Sequence, residues 1–329
     1  MSEPVVRSRD WAQRQTEEVA LRPYVSVVIP CYNESLNIGA LHQRVVAALD
    51  GLGRPWELLL VDDGSRDDTL ELIRGIAQAD PRIVAIQLNR NYGQHAAILA
   101  GFEQTRGEII VTLDADLQNP PEEIAKLVAA CEAGHDAVGG VRVDRHDSLA
   151  RKLPSRVINK IIRRSTGSDM HDFGCMLRAY RRDVVENILR YGEAATFIPA
   201  LANLFAHSPA EVPVDHADRA AGTSKYGWRR LFRLAFDLMT GFSLFPIQMV
   251  TVLGMVIATL GTGFGVFLLV RRLIHGPEAE GMFTLFALVF IIMGLNIAAL
   301  GMIGEYIGRI YYEVRHRPRF LIRKVFRRE

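Results

Sequence analysis

Cysteine is scarce in this 329-residue chain: Cys31, Cys131 and Cys175 are odd in number, widely spaced and without metal-ligand spacing. They offer no disulfide framework and no thiolate metal site, and they suit a reducing compartment. No secretory leader is expected, because the first 23 residues intersperse Arg7, Arg9, Arg14 and Arg22 with Glu3, Asp10, Glu17 and Glu18 and hold no apolar stretch. Net charge is nearly absent, 39 Lys+Arg against 37 Asp+Glu for a formal +2, and nucleic acid is not an expected partner. Repeats and low-complexity tracts are lacking too, and an apolar content of 49% excludes a disordered or collagen-like chain. The most informative absence is local. The 24 residues 247–270 and the 23 residues 282–304 contain no Asp, Glu, Lys, Arg or His.

At roughly 1.5 Å per residue, a helix over either run reaches about 35 Å, enough to cross a hydrocarbon core of about 30 Å. A buried core helix has the same composition, but two charge-free runs in tandem favour a transmembrane hairpin, with Gly276-Pro277 turning the connector 271–281. Residues 309–328 hold eight Lys/Arg, whereas the connector has only Arg271 and Arg272, offset by Glu278 and Glu280. The positive-inside rule therefore places both chain ends in the cytoplasm, with 305–329 as a basic tail. Ahead of the first run, Trp228, Leu231, Phe232, Ala235, Leu238, Met239 and Phe242 form one helical stripe, with Arg229, Arg230 and Arg233 away from it. This predicts an amphipathic helix and linker over 228–246 lying on anionic membrane lipids; packing into a domain core is the ordinary alternative. Thr251, Thr259, Thr262, Asn296 and the glycines of the two runs read as packing positions, too few for a transport path.

Residues 24–227 alternate short β-rich runs with longer helical ones. Strands are expected at 25–29, 57–61, 83–88, 109–113 and 137–141, and helices at 36–52, 69–79 and 94–105. That order predicts a mostly parallel α/β sheet covered on both faces, whose ligands bind beyond the carboxyl ends of the strands. Three apolar runs end there in polar clusters: Pro30-Cys31-Tyr32-Asn33-Glu34, Asp62-Asp63-Gly64-Ser65 and Asp114-Ala115-Asp116-Leu117-Gln118. Any one of them is ordinary turn or helix-cap chemistry, but three on one edge argue for a site. If the chain stays extended past the strand, Asp114 and Asp116 point the same way and share one hard cation, Mg²⁺ or Mn²⁺, with Gln118 in reach. Such an ion stabilises a departing diphosphate. Arg142, Arg145, Arg151, Arg156 and Lys225 are candidates to hold a second phosphate, or else solvated surface cations.

These three motifs resemble the inverting family-2 glycosyltransferases with a GT-A fold, and within them the enzymes that move a sugar from a nucleotide to a polyisoprenyl phosphate. The segments 89–95 (Asn-Arg-Asn-Tyr-Gly-Gln-His), 174–180 (Gly-Cys-Met-Leu-Arg-Ala-Tyr) and 304–311 (Gly-Glu-Tyr-Ile-Gly-Arg-Ile-Tyr) further resemble the bacterial branch that delivers 4-deoxy-4-formamido-L-arabinose to undecaprenyl phosphate. The likeness covers roughly residues 24–322. It implies that Pro30, Tyr32, Asn33, Glu34, Asp62, Asp63, Asp114 and Ala115 line the nucleotide. Asp114, Asp116 and Gln118 would hold the metal, Asp116 and Asp172 would be catalytic, and Arg142, Arg145, Ser155 and Lys225 would bind the lipid phosphate. Glucosyl and mannosyl relatives often carry an acid where Cys175 stands here.

The expected protein is thus a metal-dependent, inverting glycosyltransferase of the bacterial inner membrane, with a UDP-sugar donor, undecaprenyl phosphate as acceptor, and a product for lipopolysaccharide modification. The resemblance also implies a homo-oligomer, with a tetramer as one form. A glucosyl- or mannosyltransferase is the alternative within the class. A non-catalytic nucleotide-sugar-binding anchor and a small flippase are alternatives outside it; transfer lost in Asp116→Ala argues against the first, and nucleotide release that depends on polyprenyl phosphate against the second.

Overall fold

The structure, a computed structural model, describes residues 22–142, 174–191, 197–215, 245–275, 282–314 and 318–328. The described residues fall into two compact units, one holding those up to 215 together with 318–328, the other 245–314.

The first unit is built on an eight-stranded sheet. In chain order its elements are β1 (Val25–Cys31), α1 (Ile38–Asp50), β2 (Trp56–Asp62), α2 (Thr69–Ala79), β3 (Ile83–Leu88), α3 (Gln94–Gln104), β4 (Ile109–Thr112), α4 (Ile124–Glu132), β5 (Ala137–Arg142), β6 (Arg178–Arg181), α5 (Arg182–Tyr191), α6 (Ile198–Phe205), β7 (Pro209–Val214) and, after the second unit, β8 (Ile322–Phe326). The spatial order is β7-β5-β6-β4-β1-β2-β3-β8. Strands β3, β2, β1 and β4 are mutually parallel, as the alternation of strand and helix dictates. Their burial explains why they read as continuous apolar runs: every residue of β2 is buried, and six of the seven in β1.

The period of two sorts these strands between two faces. Val25, Val27 and Ile29 join Ile38, Leu41, Val45 and Leu49 of α1 and Ile73 of α2 in one core. Val28 and Val61 point the other way, against α3, where Gly101 lies so close to Val28 that a Cβ would collide with its side chain. That contact seats α3 directly over β1, and the loop leading into α3 therefore sits at the same sheet edge as the ends of β1 and β2.

Three elements differ from the sequence expectation. Helix α1 begins at Ile38, leaving Leu36 87% exposed, because Asn37 at its start is tied back to Glu34 through an Asn37 Nδ2 to Glu34 Oε2 bond of 2.6 Å. Strand β4 stops at Thr112. The basic segment expected as a tail contributes β8, antiparallel to β3. The amphipathic helix expected over 228–242 lies outside the described residues.

The second unit holds α7 (Phe245–His275, 31 residues) and α8 (Met282–Val314, 33 residues). Each is long and apolar enough to cross a membrane, over Ile247–Phe267 and Ile291–Gly308, and neither window is buried. The core-helix alternative therefore lacks the burial it requires. Thr251 and Thr259 bond back to the carbonyls of Ile247 and Met255, and Asn296 to that of Ile292, so these polar groups are satisfied within their own helices.

Candidate active site

Chain order reverses between β1 and β4: β2 and β3 lie on one side of β1, and β4 on the other. At such a switch point the loops after neighbouring strands diverge and leave a crevice. Here those loops are Pro30–Glu34 and Asp114–Gln118, flanked by the loops after β2 and β3.

The loops after β1 and β2 are zipped together. Asn33 adopts φ +56°, which asparagine tolerates. Its N–H donates to Ser65 Oγ at 3.0 Å, and its Oδ1 accepts the Arg66 N–H at 2.8 Å. The Glu34 N–H donates to Thr69 Oγ1 at 2.9 Å. These bonds leave Tyr32 41% exposed at the rim, an aromatic face available for stacking.

Asp62 and Asp63 are only 1% and 2% exposed. Asp62 Oδ1 accepts the Ser65 N–H at 3.1 Å and closes the turn after β2. The Asp63 carboxylate accepts the N–H groups of Tyr92 at 2.7 Å and Gly93 at 2.8 Å, grasping the loop after β3. Burial pushes both carboxyls above their ordinary value, against the opposing pull of these hydrogen bonds. Gly64, between the turn and the loop, has φ +69°, and a Cβ there would stand 2.6 Å from the Arg90 carbonyl carbon. Of the residues expected to line the nucleotide, Asp62 and Asp63 thus shape the loops, whereas Tyr32 presents a surface.

The loop after β4 is not extended. The chain turns at Ala115 and Asp116, and Leu117 takes φ +59°. The extended strand end expected there is replaced by a turn, although burial still alternates along it: Asp114, Asp116 and Gln118 are half-buried, and Ala115, Leu117 and Asn119 are buried. Asp116 Oδ1 accepts the Gln118 N–H at 3.2 Å. Asp114 Oδ1 accepts from Gln94 Nε2 at 2.5 Å, so the first residue of α3 reaches the acidic loop. Sequence reasoning did not assign Gln94 to the site, and only its place in the 89–95 motif signals it. His95 beside it packs edge-on to Phe197, 5.3 Å between centroids. Burial, and then Arg178, push its imidazole down to about 4, so it is neutral at physiological pH.

Cys175, 1% exposed, has its Sγ 3.7 Å from Asn119 Oδ1, directly behind the acidic loop. Its carbonyl accepts from Nε of the buried Arg178 at 2.8 Å. Arg142 ends β5, which runs in the same direction as β4, and so reaches the same sheet edge. Asp172, Arg145, Ser155, Lys225, Arg151 and Arg156 lie outside the described residues.

Residues 26–189 match the model of the family described as Glycosyl transferase family 2. Two relatives, both named undecaprenyl-phosphate 4-deoxy-4-formamido-L-arabinose transferase, extend the likeness over nearly the whole chain. The one from Shewanella sediminis is 52% identical over 92% of each chain, and the one from Edwardsiella ictaluri is 51% identical over 92% of this chain and 94% of its own. The chain belongs to glycosyl transferase family 2. A solved structure of glucosyl-3-phosphoglycerate synthase from Mycobacterium tuberculosis, in complex with Mn²⁺, uridine diphosphate and phosphoglyceric acid, aligns at TM-score 0.48 with 19% identity, over 66% of this chain and 76% of that one.

In this family-2 glycosyl transferase the sheet is the mostly parallel one of the GT-A fold, with its acids at the switch point. The fit to a divalent cation follows from the donor set. Among the described residues no group of three or more His, Cys, Asp or Glu is arranged to hold a metal. Asp114 and Asp116 with the Gln118 amide are hard oxygen donors that would take only part of an octahedral shell, leaving positions for diphosphate oxygens.

Proposed function

We propose that this chain transfers 4-deoxy-4-formamido-L-arabinose from its UDP donor to undecaprenyl phosphate with inversion at the anomeric carbon. The observation that carries this reading is the reach of the kinship: relatives named for that transfer are 52% identical over 92% of the chain, apolar helices included. The switch-point crevice supports it: the exposed Tyr32 ring would stack on the base, and Asp114, Asp116 and Gln118 stand at the neighbouring strand end.

The acceptor needs little activation. A phosphate monoester has its second pKa near about 6 and is already largely dianionic at neutral pH. One of its oxygens forms the new bond to the anomeric carbon as the bond from that carbon to the UDP oxygen breaks; UDP leaves with the bonding pair, and a single displacement inverts the centre. The protein's work is to align the two substrates and offset charge on the leaving group. Asp114, Asp116 and Gln118 are the residues that would hold a divalent cation, which when bound supplies positive charge at the diphosphate. Asp63 and Gln94 hold the surrounding loops, and Arg142 is placed at the edge from which a second phosphate would be met.

The hairpin α7–α8 would anchor the enzyme in the inner membrane. Because residues up to 215 and 318–328 form one unit, the chain must cross an even number of times between them; with the basic segment beyond α8, this supports a cytoplasmic catalytic domain. The deciding experiment supplies purified full-length protein with Mg²⁺ or Mn²⁺, undecaprenyl phosphate and a panel of radiolabelled UDP-sugars, and follows label into the lipid phase. Labelling by the formamido sugar above the others is expected; labelling by glucose instead would change the sugar, and no labelling by any donor would overturn the reading.

A further inference from the structure

The segment that follows the second apolar helix does more than lie against an edge. Strand β8 pairs with β3 through Phe326 opposite Ala85, Val325 opposite Ile86 and Lys324 opposite Gln87, then shifts register so that Ile322 meets Leu88. A strand that only covered β3 would have no reason to continue. Instead the Asn89 N–H donates to the Leu321 carbonyl at 3.1 Å, one residue beyond β3 and inside the loop of the acidic site. From Asn89 the contacts run on without a gap. Arg90 and Asn91 press their backbone on Gly64, Tyr92 and Gly93 are held by Asp63, and Gln94 reaches Asp114.

The other end of β8 is fastened separately. Arg327 donates to the carbonyl of Gln104 at 3.3 Å and Arg328 to that of Ala79 at 2.8 Å, the last residues of α3 and α2, where a cation meets the negative end of a helix dipole. Phe326 packs on the core, with the Arg74 guanidinium 5.2 Å and the Lys324 ammonium 5.1 Å from its ring centroid. A register shift of this kind redirects a strand. Here it directs the chain toward the loop.

We propose that β8 is a positioning strap for the reaction centre: through Leu321 on Asn89 it holds the 89–93 loop against Asp63 and Gly64, and so sets Gln94 on Asp114. Only seven residues, 315–321, separate α8 from β8, so the strap is the chain that leaves the apolar hairpin. Its kinetic consequence rests on the transfer reaction proposed above; its hold on the loop does not.

The test uses the full-length protein, Phe326→Ala, and a chain lacking residues 318–329, with two readouts. The first is amide exchange by mass spectrometry over residues 89–93, with β1 and β2 as internal references. The second is transfer kinetics with donor and acceptor varied separately. Expected in both variants are exchange about tenfold faster at 89–93 with β1 and β2 unchanged, and kcat/KM for the donor about tenfold lower with the acceptor KM unchanged. A synthetic peptide of residues 318–329 should restore both in the shortened chain. Wild-type exchange at 89–93 in folded variants overturns the strap. Faster exchange with unchanged donor kinetics overturns the positioning role and leaves β8 a mere edge cover. If the shortened chain does not fold, Phe326→Ala decides; if the wild-type protein transfers no sugar, the reaction reading fails and the exchange readout alone decides the strap.

Discussion

The two ends of the same parallel strands treat buried acid in opposite ways. At the amino end, Glu57 of β2 is 1% exposed and wholly committed. It accepts from Ser26 Oγ at 2.7 Å and from the Arg106 N–H at 2.6 Å, and its other oxygen meets the Arg106 guanidinium at 3.0 Å. The cleft of about 360 Å³ that opens nearby, between Tyr24, Arg54, Glu132 and Arg181, is likewise crossed by an Arg54–Glu132 pair at 3.3 Å. At the carboxyl end, Asp62 and Asp63 are met by backbone N–H groups of the loops they shape, and burial raises rather than lowers their pKa. An acid matched to a fixed cation is finished as structure. Acids set among loop amides instead order the loops that border the crevice.

The largest effect expected is on the half-buried acid of the switch point. Asp116→Ala should lower transfer by about 10²–10³-fold with the melting temperature nearly unchanged, the scale of losing one preorganised charge-stabilising group. Transfer assays at saturating Mg²⁺ or Mn²⁺ check it, and equal rates would break the distinction between the two ends.

Glu57→Ala should do the reverse. Leaving Ser26 and the Arg106 N–H without their acceptor costs about 2 kcal/mol of folding stability, read by urea denaturation, while the rate per folded molecule stays at the wild-type level. Gly64→Ala comes next and joins both effects, because the left-handed conformation costs about 1–2 kcal/mol for alanine and its Cβ meets the Arg90 backbone. Stability and donor kcat/KM should fall together there, and a loss of stability alone would show that the 89–93 loop is not coupled to the reaction.

What the sequence made legible follows the same division. β1, β2 and β3 were readable because strands buried on both faces are unbroken apolar runs, and the edge holding the acids followed from strand direction alone. β6 was not, since Arg178-Ala179-Tyr180-Arg181 resembles a surface segment until the Cys175 carbonyl is found to receive the Arg178 Nε. β7 begins with Pro209 and carries Pro213, which suits a sheet edge but hides a strand in a sequence. β8 was hidden by the charge in and beside it: Arg323 and Lys324 lie within the strand, and Arg327 and Arg328, just past its end, serve helix ends that only the folded chain brings near. Asp63's grip on Tyr92 and Gly93 spans about thirty residues and leaves no periodic trace.

The smallest effect concerns the support behind the acidic loop. Arg44 of α1 forms a fork on Glu122, at 3.1 and 2.8 Å, and so braces the turn that follows Asn119 and Pro120. The Arg44 hydrogen bonds hold the Glu122 carboxyl below its ordinary value of 4.5, against the smaller push of burial. A depressed acid contributes stability that is fully present above the unfolded value and is lost as pH falls through the folded one, so the contribution should persist at pH 7 and fade only below about pH 4.5. Both side chains are largely exposed, 41% and 56%, and solvent screening limits the pair to under about 1 kcal/mol. Arg44→Ala should therefore lower stability by that small amount at pH 7, converge with the wild type in denaturation at acid pH, and leave transfer within about twofold. A larger loss of transfer would mean that the acidic loop is held from behind as firmly as the 89–93 loop is held from the edge, because Arg44 braces the turn at Glu122 that follows that loop.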